Sequence, residues 1–417
     1  MVNTIIVARD SEKVPPDISR ELLQRVSLDI KEVSTAGGDR YNTFDFVGLA
    51  MTNSGELLVV LPKHCTKSAN PENDARMIFT LLNELKRESA AHNMGPSYDT
   101  IKSDFPFAAF YKIYDFFDQY GLYLDGNQEI RNSPPGKINW KITISKSNNF
   151  LLNKTLFMFP IYYQNRRQTW TFISECMACA IDYTINHFGM LLDLPDTGFT
   201  SEEECEDLIH SRKEVVAKLE EIRSSIFQDS LLSLIDSLLE FYEAVRHSHG
   251  FILRDSQFNY AWEILVHHYL ANHFAGFEPR TREILIEDNP RFAPLERQVS
   301  FSGFNRAYPE MSIILDNYAF DRNTGVQYII DEKYYSSMSE FNYKQFAYTV
   351  LLHGHSQNGI KAKTTYSAMI LPYETNSFRL HYIPDTLYSP ALKELDGIII
   401  TEQYLNIKKV IEDYLAD

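Results

Sequence analysis

The most constraining feature of the sequence is residues 308–335, YPEMSIILDNYAFDRNTGVQYIIDEKYY, where two apolar runs with acidic ends flank a turn. Runs of this kind around a turn that contains glycine predict an antiparallel β-hairpin. A register centred on the segment YAFDRNTG places Glu310 directly opposite Asp331 on one sheet face. Lys333 follows Asp331 by two residues and therefore points to the same face. The hairpin thus predicts two carboxylates and one lysine in a cluster.

The same register separates two other acids from this cluster. It pairs Asp316 with Gly325, so that Asp316 would lie about 20 Å from Asp331 along the strands. Glu332 points to the opposite face of the sheet. Because the register is an assumption, Asp316 remains a reserve candidate for the cluster.

The chemistry of this cluster suits metal-assisted hydrolysis of a phosphodiester. Two carboxylates bind Mg²⁺ through oxygen, and the ion polarises phosphate and activates water. A neighbouring lysine can orient or deprotonate that water and stabilise charge on phosphorus. The alternative is a cross-strand acid pair beside a solvated lysine. Like charges directly opposite each other destabilise a hairpin unless something neutralises them, and this consideration favours the site.

Two helix-like segments supply further candidates. Glu263 is surrounded by apolar and aromatic residues in NYAWEILVHHYL, and it is either a third carboxylate beside the metal or a capped or exposed acid. Gln345 and Tyr348 in NYKQFAYTVLL are three residues apart and share a helix face. For these two residues, ordinary helix surface is an equal alternative.

Composition limits the classes of function and location. The chain has 40 basic and 56 acidic residues, a net charge of −16. Proteins that hold nucleic acid by charge alone are usually basic, so such a role requires a local patch, a metal ion or a basic partner. Apolar runs fall short of the ~20 residues that a membrane span needs. The N-terminus lacks the features of a signal peptide, so we expect a cytoplasmic protein without a membrane role.

The four cysteines do not predict a metal site. Cys176 and Cys179 have the spacing of a zinc-binding pair, but no second pair accompanies them. We therefore expect all four cysteines to be buried structural thiols.

The pattern along the chain predicts an α/β (α+β) protein of three domains. Residues 1–95 are a small β-rich domain with two strands in 44–63 and a helix at 73–88. Residues 96–250 are a connecting region, mixed and then helical, with a strand at INWKITI and a long helix at 202–227 capped by Thr200 or Ser201. A second helix there ends near Gly250.

Residues 251–417 have a mixed α/β pattern. The predicted elements, in chain order, are a helix at 256–273, strands near 282–287, 310–316 and 326–333, a helix at 339–353, a strand at TYSAMILP and a final helix at TEQYLNIKKVIEDYLA.

The order of these motifs resembles the PD-(D/E)xK nuclease core. More specifically, the chain resembles the McrC-like nuclease subunits of restriction systems, the LlaJI type in particular. The segments that carry the resemblance outside the hairpin are FVGLAMTNSGELLVVLPK, GKINWKITI, AWE and YKQFAY. The resemblance therefore covers most of the chain.

The resemblance implies roles for individual residues. By position, it assigns Glu310 and Asp331 as metal ligands, Lys333 as the motif lysine, Glu263 as an accessory residue and third ligand, and Gln345 as an accessory residue. Tyr348 is a further accessory candidate. The chain departs from the family in having Pro309-Glu310 where Pro-Asp is usual, which bears on the geometry of the metal.

The resemblance also implies a cofactor and partners. Mg²⁺ or Mn²⁺ would serve an endonuclease that cuts DNA when assembled with a McrB-like AAA+ GTPase. The chain has no GxxxxGK[ST] pattern, so any motor is a separate protein. Two alternatives remain: a catalytically idle adaptor that stimulates the GTPase, and a stand-alone nuclease of repair type.

Overall fold

A computed structural model describes residues 2–34, 38–91, 100–152, 155–246, 250–288, 295–357, 359–385, 387–388, 390–395 and 397–416. The chain divides into two compact units, one formed by Met1–Asp104 with Ser248–Asp417 and the other by Phe105–His247. The first and third predicted domains therefore lie in one unit. The predicted boundary near residue 95 lies outside the described residues.

The N-terminal segment contains the strand pair and the helix that were predicted, together with further elements. Its elements are β1 (Thr4–Arg9), α1 (Arg20–Arg25), a 3₁₀ helix (Ser27–Asp29), β2 (Ile30–Ser34), β3 (Arg40–Phe44), β4 (Val47–Met51), β5 (Glu56–Leu61), α2 (Pro71–Ala91) and β6 (Ile101–Ser103). The predicted strand pair in residues 44–63 is confirmed as the antiparallel hairpin β4–β5, and α2 confirms the helix predicted at 73–88.

The second unit has mixed structure up to Thr169 and is helical from Phe172 onward. Its elements are α3 (Phe107–Tyr120), β7 (Asp125–Arg131), β8 (Lys137–Ile138), α4 (Trp140–Lys146), β9 (Asn148–Leu152), β10 (Thr155–Phe159), β11 (Tyr163–Thr169), α5 (Phe172–Leu192), α6 (Glu202–His210), α7 (Arg212–Arg223) and α8 (Asp229–Ala244). Strands β7, β11 and β8 form one small sheet, and β9 pairs with β10.

Three predictions for this unit need correction. The segment INWKITI is mostly the helix α4, because Asn139 caps it by accepting a hydrogen bond from the Ile142 amide at 3.1 Å. The long helix predicted at 202–227 is two helices, α6 and α7, which meet at Ser211. The helix predicted to reach Gly250 ends at Ala244. The Ser201 cap of α6 is confirmed.

The C-terminal segment has mixed structure. Its elements are β12 (Phe251–Asp255), α9 (Phe258–His273), β13 (Phe274–Phe277), β14 (Ile284–Ile286), β15 (Glu296–Ser302), β16 (Ser312–Asp321), β17 (Val326–Glu332), α10 (Tyr343–Leu352), β18 (Ser356–Gln357), β19 (Ile360–Lys361), β20 (Thr364–Tyr373), β21 (Ser377–Tyr382), a 3₁₀ helix (Pro390–Leu395), β22 (Ile400–Asn406) and α11 (Ile407–Ala416). The segment TEQYLN, predicted as helix, is therefore mostly β22, because it is buried between two neighbouring strands.

A five-stranded sheet contains strands from both the N-terminal and the C-terminal segments of the first unit. Its order is β1-β5-β4-β12-β6, so β12 lies between two strands of the N-terminal segment. Residues 251–255 therefore belong to this sheet. Leu22, Phe44, Leu58 and Val60 contribute to an apolar core against the sheet.

A six-stranded sheet of order β15-β16-β17-β20-β22-β21 forms the centre of the C-terminal segment. The pairs β17–β20 and β20–β22 are parallel, and the remaining pairs are antiparallel. Helix α10 is anchored on this sheet by Gln345, and helix α9 by Trp262, whose indole N–H donates to the Ile370 carbonyl at 3.4 Å. This mixed sheet carries the charged cluster described below.

The helices and the cysteines bear on two further expectations, about membrane spans and about metal sites. None of the described helices is long and apolar enough to cross a membrane. The predicted burial of Cys65, Cys176, Cys179 and Cys205 is confirmed, and none of them is in a disulfide.

Candidate active site

The hairpin β16–β17 forms, but its register differs from the predicted one. Asp321 pairs with Val326 and Asn317 with Ile330, so the next residues along the two strands, Asp316 and Asp331, are opposite each other. The register that placed Glu310 opposite Asp331 is therefore wrong. Asp316, the reserve candidate, takes that position.

The turn explains this register. The predicted loop had eight residues, but β16 continues to Asp321 and the turn is much shorter. The Asp321 carboxylate accepts hydrogen bonds from the Asn323 amide at 2.9 Å and the Thr324 hydroxyl at 2.5 Å. Gly325 has a φ of +76°, which favours glycine. Glu310 is consequently left in an exposed turn before β16.

Asp316 and Asp331 form a closely spaced pair of acids. Burial and the neighbouring Asp331 carboxylate raise the pKa of Asp316 to about 7. Burial alone would raise the pKa of Asp331, but the charges of Lys333 and Lys344 and a hydrogen bond with Asp316 lower it. As pH falls, a proton is therefore taken up by Asp316 before Asp331, because two carboxylates at close range in a largely enclosed place do not ionise together easily.

Two lysines neutralise Asp331 from different elements. Lys333, at the end of β17, contacts Oδ2 of Asp331, and its Nζ also donates to the Glu332 carbonyl at 3.3 Å. Lys344, in the first turn of α10, places Nζ 3.3 Å from Oδ1. The Lys333 side chain is 13% exposed and that of Lys344 is 50% exposed. Of these two lysines, Lys344 is the one that both contacts Asp331 and is widely accessible to solvent.

The opposite face of the hairpin carries a second polar group. Glu332 is buried, and its Oε1 accepts a hydrogen bond from the Asn317 side-chain amide. The side-chain oxygen of Asn317, Oδ1, lies 2.5 Å from Nδ1 of His267 in α9. Burial and the charges of Asp316 and Asp331 raise the pKa of Glu332 well above its usual value. The prediction that Glu332 points away from Asp331 agrees with this arrangement.

Glu263 of α9 lies within the field of the same charges. Burial raises the pKa of Glu263, while Arg297 and Lys333 oppose the rise and Asp331 adds to it. Glu263, Glu332 and Lys333 also line a cavity of about 400 Å³. The structure therefore brings Glu263 near the hairpin cluster, and its role as a third metal ligand stays a prediction.

Gln345 and Tyr348 both contact the sheet, Gln345 through hydrogen bonds and Tyr348 through packing. The Gln345 amide nitrogen donates to the carbonyls of Ile329 and Ala368, both at 3.2 Å, and to the Ser367 hydroxyl at 2.9 Å. Tyr348 packs against the apolar cluster around Ile329, and its ring lies 5.4 Å from Lys344 Nζ. Gln345 thus fixes α10, and with it Lys344, on the sheet.

The donor set fits a hard divalent cation. Asp316 and Asp331 present carboxylate oxygens at the end of the hairpin, and a cation beside them would relieve their competition for one proton. Within the described part of the chain, no three His, Cys, Asp or Glu side chains are grouped closely enough to hold a metal by themselves. Water or phosphate oxygens would therefore complete the shell, which is usual for Mg²⁺.

Lys344 had no predicted role. Its position was inside the quoted motif YKQFAY, directly before Gln345, but nothing in the spacing indicated contact with Asp331. The selection of Asp316 depended on the length of the turn after β16, which the sequence spacing did not determine.

Comparisons with known proteins place the chain in a family. The model of the LlaJI restriction endonuclease family matches residues 46–381. No curated protein matches the chain significantly. A structure of Thermococcus gammatolerans McrB AAA+ hexamers with bound McrC is similar over 99% of this chain and 98% of that one, at 9% identity and a TM-score of 0.37. The family match covers most of the sequence, and the chain belongs to the LlaJI restriction endonuclease family.

Proposed function

We propose that this chain is the Mg²⁺-dependent DNA endonuclease subunit of a restriction system and that it works with an AAA+ GTPase partner. The observation that carries the proposal is the pair Asp316–Asp331 with Lys333 and Lys344 around it, at the end of a hairpin in a restriction endonuclease family member. The net charge of −16 supports a requirement for a partner that supplies DNA affinity.

Each residue of the cluster has a proposed role. Asp316 and Asp331 would hold the cation, which polarises the scissile phosphate and activates water when bound. Asp316 replaces Glu310 in this assignment, because Asp316 is the residue opposite Asp331. The glutamate at position 310, where the family usually has aspartate, then has little effect on the metal geometry. It therefore gives less support to a catalytically idle adaptor.

The lysines would act on substrate and water. Lys333 is enclosed and held against Asp331, a position from which it can orient the attacking water. Lys344 is half exposed and can contact a phosphate oxygen as charge develops there. Glu263 would be an accessory residue that adds a carboxyl group beside Lys333, and Gln345 would position α10.

A cleavage assay with matched variants tests this proposal. The chain is combined with its GTPase partner, GTP, Mg²⁺ and plasmid DNA, and linear product is measured. Asp331→Asn, Lys333→Met and Asp316→Asn should each lower the rate by about 10²–10³-fold, because each removes a group from the charged centre. Glu310→Gln is the matched control, and its rate should stay within about threefold of wild type.

The outcomes separate the alternatives. Full activity in Asp331→Asn and Lys333→Met would contradict a catalytic cluster and favour the adaptor. Loss in Glu310→Gln with activity retained in Asp316→Asn would restore the register predicted from the sequence. Cleavage without the GTPase would favour a stand-alone nuclease. As an independent readout, Mg²⁺ should raise the Tm of wild type but not of Asp331→Asn.

A further inference from the structure

We propose that Lys63 is a positioning residue for Lys333 and that it connects the five-stranded sheet to the catalytic lysine through Tyr334. This inference rests on the proposed function of the hairpin cluster. It assigns a role to the Pro62-Lys63 end of β5, a segment singled out in the sequence and not used by the cluster itself.

Tyr334 follows Lys333 directly and is held by the N-terminal segment. Its hydroxyl accepts a hydrogen bond from the Lys63 amide at 2.9 Å and also hydrogen-bonds the Asp10 carboxylate. The Tyr334 side chain is buried, and its ring packs on Phe258 of α9 at a centroid distance of 5.2 Å. The chain immediately after Lys333 is therefore fixed by contacts with residues that follow β1 and β5.

The Lys63 side chain reinforces this contact. Its Nζ lies 4.5 Å from the centre of the Tyr334 ring, 3.5 Å from the Tyr334 carbonyl and 3.7 Å from Asp10 Oδ2. The side chains of Lys63 and Asp10 are 18% and 7% exposed, so the pair is largely shielded from water. Shielded charges that lose their partner are costly, so the geometry depends on both members.

A second contact extends the connection along the chain. His64 Nε2 lies 2.8 Å from the Ser336 carbonyl, and the His64 backbone has a φ of +60°. On the other side, the Lys333 amide donates to the Ile370 carbonyl at 2.9 Å. Lys333 is thus held between β20 on one side and the Tyr334–Ser336 segment on the other.

The cavity of about 400 Å³ lies along this connection. Asp10, Lys63, Tyr334 and Lys333 all line it, together with Glu263. A displacement of Lys63 after β5 would therefore move Tyr334, and with it the adjoining Lys333. Displacement of a catalytic group by 1 Å can lower a rate by about 10²-fold.

The test replaces Lys63 and leaves the surrounding fold in place. Lys63→Met keeps the aliphatic stem and removes the charge. In the complete assembly with DNA, GTPase and Mg²⁺, it should lower kcat by about 10–100-fold with an unchanged KM for DNA. Lys63→Arg should recover most of the lost kcat. Lys67→Met is the matched control, because Lys67 pairs with Glu12 at 3.0 Å and should leave kcat unchanged.

A second readout does not depend on activity. Wild type and variants are labelled with acetic anhydride across a range of pH, and acetylation of Lys333 is measured by mass spectrometry against the exposed lysines. Lys63→Met should raise the labelling of Lys333, because the enclosed ion pair with Asp331 loosens, and Lys67→Met should not.

The outcomes decide the inference separately from the proposed function. Unchanged kcat and unchanged Lys333 labelling in Lys63→Met would overturn it. Equal losses in Lys63→Met and Lys67→Met, with equal falls in Tm, would also overturn it, since they indicate general destabilisation. If wild type cuts no DNA, the proposed function fails, and the labelling contrast still decides whether Lys63 positions Lys333.

Discussion

The two large sheets of the first unit bury different kinds of residue. Strand β5 of the five-stranded sheet buries Leu58 and Val60 in an apolar cluster and is hydrophobic from Leu57 to Leu61, although β12 of the same sheet buries Asp255. The six-stranded sheet buries Asp331 and Glu332 of β17 near its centre, and Gln345 of α10 is buried against it. Burial of polar and charged groups costs free energy unless partners compensate it. The first interior is therefore organised for stability, and the second retains groups that favour chemistry at some cost in stability.

This difference predicts opposite responses to substitution. Removing apolar atoms from the first sheet should destabilise the protein. Removing charge from the second should stabilise it while abolishing function, as expected where a site carries strain that the rest of the fold supports. The predictions below test this contrast in order of expected size.

The largest effect is expected for Leu58→Ala in β5. Leu58 is fully buried, so the substitution removes buried methyl groups and leaves a cavity. We expect a loss of about 2–5 kcal/mol in the free energy of unfolding, measured by urea denaturation. Leu28→Ala is the control, because Leu28 is 87% exposed and its loss should be small. Similar losses at both positions would contradict an apolar core at Leu58.

Asp316→Asn should have the opposite sign, with a dependence on pH. The pKa of Asp316 is raised to about 7 in the folded protein, against 3.8 for the ordinary carboxyl. Its contribution to stability is therefore intact below pH 3.8 and is lost as pH rises towards 7. Without divalent cations, Asp316→Asn should be more stable than wild type by up to about 4 kcal/mol at pH 7.5, and equal to it near pH 3.8.

Asp321→Asn sharpens this comparison on the same strand. Hydrogen bonds from Thr324 and Asn323 lower the pKa of Asp321, so its stabilisation is present at neutral pH and is lost as pH falls. The two variants should therefore shift the urea midpoint in opposite directions at pH 7.5. A common direction would argue against the raised pKa of Asp316.

A smaller effect is expected for Asn317→Ala. The substitution removes the donor to buried Glu332 and the group that faces His267. Leaving such groups without a hydrogen bond should cost about 1–3 kcal/mol in the free energy of unfolding. Asn42→Ala on the exposed face of β3 is the control and should change the urea midpoint little. A neutral Asn317→Ala would indicate that water replaces the lost partner.

The sequence predicted most elements because their periodicity is local. The helix α9 and the strands β16 and β17 follow directly from apolar patterns. Asp331 and Lys333 were selected because two residues on one strand share a face whatever the register. Glu263 was selected because it is an isolated acid in an apolar helix. Patterns of these kinds do not depend on the rest of the fold.

The remaining features depend on contacts that sequence spacing does not contain. Asp316 was undervalued because the turn held by Asp321 and Gly325 was taken to be longer than it is. Lys344 reaches Asp331 only because Gln345 fixes α10 on the sheet. The strand β22 was predicted as helix because its neighbours in the sheet, rather than its own pattern, determine its conformation.

The place of β12 in the five-stranded sheet has a consequence for protein engineering. The chain leaves this sheet after β6 and returns at β12, and these strands pair directly, with the Asp104 amide 3.2 Å from the Ile252 carbonyl. Residues 105–247 therefore have the connectivity of an inserted module whose attachment points are adjacent. Such a module can be excised and its ends joined by a short loop at small entropic cost. By contrast, a fragment that starts after residue 250 would take β12 away from β4 and divide the sheet between two polypeptides.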